Sequence, residues 1–215
     1  MDVDDAANKG IGARFKVQGF PTIKVFDYGV KSDAKAYDYQ GQRQQQDIVN
    51  FGNDLADKAD IEPDVNEIFK QKIYDENCKG TTICVITFLP NIFDSNAGER
   101  NNYISTLKSV AKKNRKSPFN YFWLSAGDQL DLERQLGLGF GFPAVILVQP
   151  QKKKFGVMKS SFSAKSMNEF LGNIVTKGMS LQDLPGPIKF KKADKWDGKD
   201  APVLEEEDYG EYEDL

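Results

Sequence analysis

Two cysteines, two Gly-Phe-Pro tripeptides and a complete lack of histidine bound the chemistry open to this chain. Cys78 and Cys84 are its only thiols, with five residues between them. Dithiol exchange of the usual kind needs two cysteines two residues apart at a helix N-terminus, where the dipole lowers the pKa of the first. This pair lacks that spacing, and Cys84 lies in the apolar run 81–89 (TTICVITFL), where burial would raise its pKa. Two thiols without histidine do not make a zinc site, so no metal is expected. The same lack closes Ser-His and Cys-His catalysis. The chain is therefore expected to carry no catalytic residue and no cofactor.

The tripeptides Gly19-Phe20-Pro21 and Gly141-Phe142-Pro143 are the other marked feature. Each joins the end of a helical pattern to a β-branched apolar run. Proline cannot donate to a ladder, so it belongs at a strand's first residue or in a turn, the place where a cis bond is commonest. The copies lie roughly 120 residues apart, one small domain plus a linker, which points to a tandem of related units.

The elements that would position them follow from periodicity. A helix is expected over 6–17, strands over 23–27 and 36–39, and a helix over 42–58, with residues 2–4 as the end of a preceding strand. After a linker at 60–63, a polar helix is read over 64–77. The run 81–89 reads as a strand covered on both faces. Then come a helix over 101–114, a strand over 120–124, a short helix over 128–136 with Asp128 as its N-cap, strands over 144–149 and 155–159, and a helix over 164–176 capped by Ser163. The order β-α-β-α-β-β-α after an opening helix makes the second unit a whole α/β sandwich with a mixed sheet. The first supplies only α-β-β-α, half of the same plan, with an open apolar edge.

Composition excludes several function classes. At 215 residues, 40% apolar and a formal charge of −3, the chain is mildly acidic with dispersed Lys and Arg, so no nucleic-acid partner is expected. The cluster Lys152-Lys153-Lys154 reads as a hairpin tip. No apolar run approaches the roughly 18 residues of a membrane span, and no membrane partner is expected. The opening Met1-Asp2-Val3-Asp4-Asp5 has neither a basic nor an apolar leader segment and is not read as a signal peptide.

Residues 13–26 (ARFKVQGFPTIKVF), followed by Tyr39-Gln40-Gly41-Gln42-Arg43, resemble the second half of an a-type thioredoxin domain of protein disulfide-isomerases. Residues 83–90 (ICVITFLP), 139–144 (GFGFPA) and 195–200 (KWDGKD) before an acidic tail narrow the likeness to the C-terminal part of the A-six type of endoplasmic-reticulum isomerase. That type has two CxxC thioredoxin domains followed by one redox-inactive b-type domain. The resemblance implies a thioredoxin-like α/β fold. Its expected parts are an incomplete a-type half at 1–59 without CxxC, a linker at 60–63, a complete b-type domain at 64–178 and a disordered acidic tail at 179–215. The family's Cys-Gly-His-Cys site and its C-terminal retrieval signal have no counterpart, so the chain is read as a fragment or a shortened paralogue.

What the resemblance implies for single residues follows. Phe20, Pro21 and Thr22 match the cis-proline loop that faces the dithiol in thioredoxins and offers backbone groups to an extended substrate; Phe142 and Pro143 hold the same place in the b domain. These five are the candidate substrate-binding residues. In an oxidising lumen Cys78 and Cys84 are candidates for a structural disulfide, with inert buried thiols or an unorthodox redox pair as the alternatives. Phe119, Tyr121, Phe122 and Trp123 are read as core, with an exposed patch around Phe140 and Phe142 left open. The expected role is protein folding in the endoplasmic-reticulum lumen. Thiol–disulfide exchange would belong to the full-length family and substrate or partner binding to this chain. Expected partners are unfolded or disulfide-containing client proteins and lumenal chaperones. A stand-alone non-catalytic thioredoxin-like binding or chaperone protein is the alternative. A weak calcium-binding lumenal protein is a lesser one, because the acidity is confined to 204–215.

Overall fold

A computed structural model describes residues 5, 8–30, 32–59, 62–139, 141–176 and 181–202. The chain divides into two units between Glu62 and Pro63.

The first unit is spare. Helix α1 (Lys9–Arg14), strands β1 (Lys24–Val25) and β2 (Tyr37–Asp38) and helix α2 (Gln45–Lys58) follow in order, with β1 and β2 antiparallel. Phe15 stacks edge-on against Phe26, and Tyr39 packs on Phe51 of α2. Gly41 is required here, because a Cβ at this position would lie 2.4 Å from the Tyr39 hydroxyl. That hydroxyl donates to the Gln42 carbonyl, closing the turn before α2. Among the described residues of this unit only Val25 is buried. The reading of 2–4 as a strand end falls outside the described residues.

The second unit is complete. Its elements are β3 (Val65–Glu67), α3 (Gln71–Asn77), β4 (Ile83–Leu89), α4 (Ala97–Lys113), β5 (Phe119–Ser125), α5 (Leu130–Gln135), β6 (Ala144–Gln149), β7 (Lys154–Val157), α6 (Ala164–Thr176) and β8 (Gln182–Asp183). The sheet order is β3-β5-β4-β6-β7-β8, with β3, β5 and β4 parallel and the rest antiparallel. It is the mixed thioredoxin-like sheet flanked by helices. Strand β4 is buried on both faces, and its alternation splits the core in two. Cys84, Ile86 and Phe88 pack with Tyr74 of α3, Leu132 of α5 and Leu136 just after it. Val85 and Leu89 pack with Leu107 and Val110 of α4 and Met167, Phe170 and Leu171 of α6. Phe119, Tyr121, Phe122 and Trp123 all lie inside. The Ser163 hydroxyl accepts from the Ser166 amide and opens α6; Asn96 does the same for α4 through the Glu99 amide.

Three expectations are corrected. Residues 64–77 are not one helix: Val65–Glu67 pairs parallel with Tyr121–Trp123 at the sheet edge, and only then does α3 begin. Three residues with one inward face carry too little alternation to read as a strand. Asp128 is not the cap of α5, which starts at Leu130. The preceding turn is held instead by the Glu133 carboxylate, which accepts from the Gly127 amide at 2.8 Å. Finally, 181–202 is packed against the domain and is no disordered tail. Ile188 and Phe190 are buried in the same core face as Tyr74. The segment is also tied down in register: Gln71 accepts from the Phe190 amide, Gln129 from Lys191, the Phe69 carbonyl from Ala193 and Glu67 from Trp196. Asp200 accepts from the Ala97 amide at the start of α4. The strongly acidic stretch begins only at Glu205, outside the described residues.

Candidate functional site

The carboxyl ends of β4 and β5 and the start of β6 meet at one end of the sheet, because Phe88 is registered with both Leu124 and Ala144. Three loops gather there. The Ala126 amide donates to the Leu89 carbonyl at 2.7 Å, and Asn91 Nδ2 donates to the Ala126 carbonyl. The third loop holds Phe142–Pro143, whose peptide bond is cis. Together the loops frame a cavity of about 570 Å³ lined by Pro90, Phe93, Ala126, Leu130, Glu133 and Phe142 among others. Phe93 is 62% exposed, Leu130 52% and Phe142 38%. Three large apolar side chains are thus exposed on one rim of the cavity. Phe140 lies outside the described residues.

Beside this cavity the sheet end carries a buried charge. Arg100 of α4 is 2% exposed. Its guanidinium stands 5.6 Å from the Trp123 ring and 5.3 Å from Trp196, and Nη2 donates to the Pro90 carbonyl at 2.8 Å. Glu67 and Asp128 supply the nearby opposite charge. Burial pushes both carboxyls above their usual range. The Trp196 amide, Lys195 and Arg100 oppose this at Glu67; at Asp128, Arg100 opposes it and the charge of Asp194 adds to it.

The other candidate residues lie in the first unit. Phe20–Pro21 is cis, with Phe20 69% exposed. The Thr22 hydroxyl donates to the Gly19 carbonyl, and Arg43 Nη2 donates to the Pro21 carbonyl, so the loop is braced from α2's side of the turn. Sequence reasoning named Phe142 and Pro143 but missed Phe93 and Leu130, which line the same cavity as Phe142, and the role of Arg100 and Asp128 in the neighbouring groove. Only the WDGKD motif, which supplies Trp196, signalled the second cluster.

Cys78 and Cys84 are bonded to each other, with Cα atoms 5.9 Å apart, joining the end of α3 to β4. Cys78 is 5% exposed and Cys84 is fully buried. Cys84 also stands five residues before Leu89, about 17 Å along the strand from the cavity end. Closing so short a loop contributes about 2 kcal/mol. The variant with Cys78→Ala and Cys84→Ala is expected to melt several degrees lower by circular dichroism. An unchanged midpoint would deny the bond a structural role.

The fold, with its cis-proline loop at the carboxyl end of the central strands, defines a thioredoxin-like domain. A family model described as PDIA6-like, C-terminal thioredoxin-like domain, matches residues 55–178. The chain belongs to the PDIA6-like C-terminal thioredoxin-like domain family. It is 36% identical over 208 residues to protein disulfide isomerase-like 2-3 of rice (Oryza sativa subsp. japonica), covering 96% of this chain and 46% of that one. It is 34% identical over 209 residues to human protein disulfide-isomerase A6, covering 96% and 47%. The chain thus spans about half the length of the curated relatives it matches. Among solved structures, the first two thioredoxin domains of Naumovozyma dairenensis Eps1p align with a TM-score of 0.46 at 14% identity, covering 76% of this chain and 72% of that one.

Proposed function

We propose that this chain serves protein folding in the endoplasmic-reticulum lumen as a client-recognition part of a protein disulfide-isomerase. Unfolded or disulfide-containing polypeptides bind the apolar cavity at the cis-proline end of the second unit. The observation that carries this reading is the joint exposure of Phe93, Leu130 and Phe142 around that cavity, while both cysteines are buried and bonded at the far end of β4. Recognition and thiol chemistry are thus separated in space. Phe20, Pro21 and Thr22 form the matching loop of the first unit, half of an a-type domain, and serve substrate only when that domain is whole. Exchange through a mixed disulfide belongs to the family's full-length members, and lumenal chaperones are further partners of this chain.

Insulin-disulfide reduction with dithiothreitol tests the division of labour. The chain and its Cys78→Ala/Cys84→Ala variant are both expected to give the rate of dithiothreitol alone. A rate above that background, lost in the variant, would make Cys78 and Cys84 a redox pair and overturn the reading.

A further inference from the structure

Among the described residues, carboxylates are the only charged groups that line the cavity at the cis-proline end. We infer that this cavity selects client segments in which an arginine stands beside an apolar residue, and that Glu133 and Asp94 make the choice. The inference rests on the client-binding reading above and adds to it the class of segment that is held.

The apolar lining comes from Phe93, Leu130 and Phe142, and the charged lining is Asp94 and Glu133. The cations of this end, Arg100, Lys192, Lys195 and Lys199, line the neighbouring groove instead. Glu133 is 7% exposed, and its Oε1 accepts from the Gly127 amide at 2.8 Å and from the Gln129 amide at 3.4 Å. Its Oε2 has no donor among the described residues. Asp94 is exposed at the end of the short 3-10 turn 92–94 and makes no ion pair among the described residues. Asn91 spends its carboxamide within the fold: Oδ1 accepts from the Phe93 amide, and Nδ2 donates to the Ala126 carbonyl. The side-chain oxygens left for a guest are therefore those of carboxylates, which accept and do not donate.

A carboxylate as enclosed as Glu133 is costly without a positive partner. The two amides at Oε1 offset part of that cost, and a guest that brings a cation offsets more. Arginine meets both features of the site. Its aliphatic stem lies along Leu130, its planar guanidinium stacks on a phenylalanine ring, and its forked donors fit carboxylate oxygens. Lysine carries the charge without the plane or the fork and binds less well. An acidic side chain in the same place meets like charge and finds no donor, so the site rejects acidic segments as well.

The test is fluorescence anisotropy of the full chain with a labelled serine-rich nonapeptide bearing a central Phe-Arg pair. Parallel peptides carry lysine, uncharged citrulline or glutamate in place of the arginine. The arginine peptide is expected to bind at least fivefold more tightly than the citrulline peptide and at least tenfold more tightly than the glutamate peptide, with lysine between arginine and citrulline. Glu133→Gln is expected to cut the preference for arginine over citrulline below twofold, and Asp94→Asn to cut it about in half. Circular dichroism checks the fold of both variants, and the exposed Asp94 carries the test if Glu133→Gln unfolds. Equal binding of the arginine and citrulline peptides, or a preference that survives both substitutions, overturns the inference. The client-binding reading then still stands if Phe93→Ser with Leu130→Ser abolishes binding of these peptides. Binding that ignores Phe93 and Leu130, or no binding of any peptide, overturns both.

Discussion

A chain ending at residue 180 is expected to lose the cooperative unfolding of its second unit. The family match stops at 178, and the acidic end of the sequence invites trimming there. The structure argues against it. Ile188 and Phe190 are 8% and 7% exposed, Phe190 lies 5.2 Å from the Tyr74 ring, and Trp196 stands edge-on to Trp123 at 6.0 Å. Burying a side chain such as Ile188 or Phe190 is worth about 1.5–3 kcal/mol, so these two contribute roughly 3–6 kcal/mol, and the partly buried Trp196 adds a smaller share. A domain's whole stability is about 5–15 kcal/mol. Removal also strips the partners of the buried Gln129 and the half-buried Gln71 and Glu67, leaving these polar groups unsatisfied. Urea unfolding followed by tryptophan and far-ultraviolet signals is the check. Coincident, sharp transitions at the parent midpoint in the shortened chain would refute the packing account.

Replacing Arg100 by methionine is the second large effect. The change keeps much of the volume between Trp123 and Trp196 but leaves Glu67 and Asp128 without the guanidinium that opposes their desolvation. Glu67 is half-buried and Asp128 exposed, so the cost is below that of breaking a fully buried ion pair and is about 1–3 kcal/mol. The pH dependence distinguishes this cause from a packing defect. Both carboxyls already sit above their usual range in the folded protein, so folding favours their neutral forms and their charged forms oppose it. Without Arg100 that opposition grows. The deficit is therefore greatest near neutral pH and shrinks as the pH falls through the raised carboxyl values toward the ordinary range near 4. A deficit independent of pH would assign the loss to packing alone, and adding Asp128→Asn to Arg100→Met should restore part of the stability at pH 7.

How much of this was legible in the sequence depends on the kind of signal. The two Gly-Phe-Pro turns and the continuous run 83–89 placed the central strands, because proline restrictions and burial on both faces leave patterns that no other element imitates. The edge strand Val65–Glu67 was hidden by its polarity: Glu67 is there to receive the Trp196 amide, a purpose only the tertiary structure discloses. The segment 181–202 was hidden by its prolines and lack of helical period, although Ile188 and Phe190 alternate as buried extended chain does. Of the candidate site, Phe142 and Pro143 were readable from the turn. Phe93 and Leu130 were not, since an apolar residue in a loop or a helix pattern is ordinarily core and only exposure sets these two apart. Arg100 reads as one more surface charge until α4 is seen to turn it beneath two tryptophans.

Recognition without thiol exchange is the central claim, and binding of a client that has no reactive sulfur tests it most directly. The measurement is titration of a fluorescent, reduced and carboxymethylated unfolded protein with the full chain, in parallel with Phe93→Ser/Leu130→Ser. Saturable binding by the parent, weakened at least tenfold by the two substitutions and unchanged by Cys78→Ala/Cys84→Ala, is the predicted result. No binding by the parent, or binding that survives the loss of Phe93 and Leu130, would contradict it.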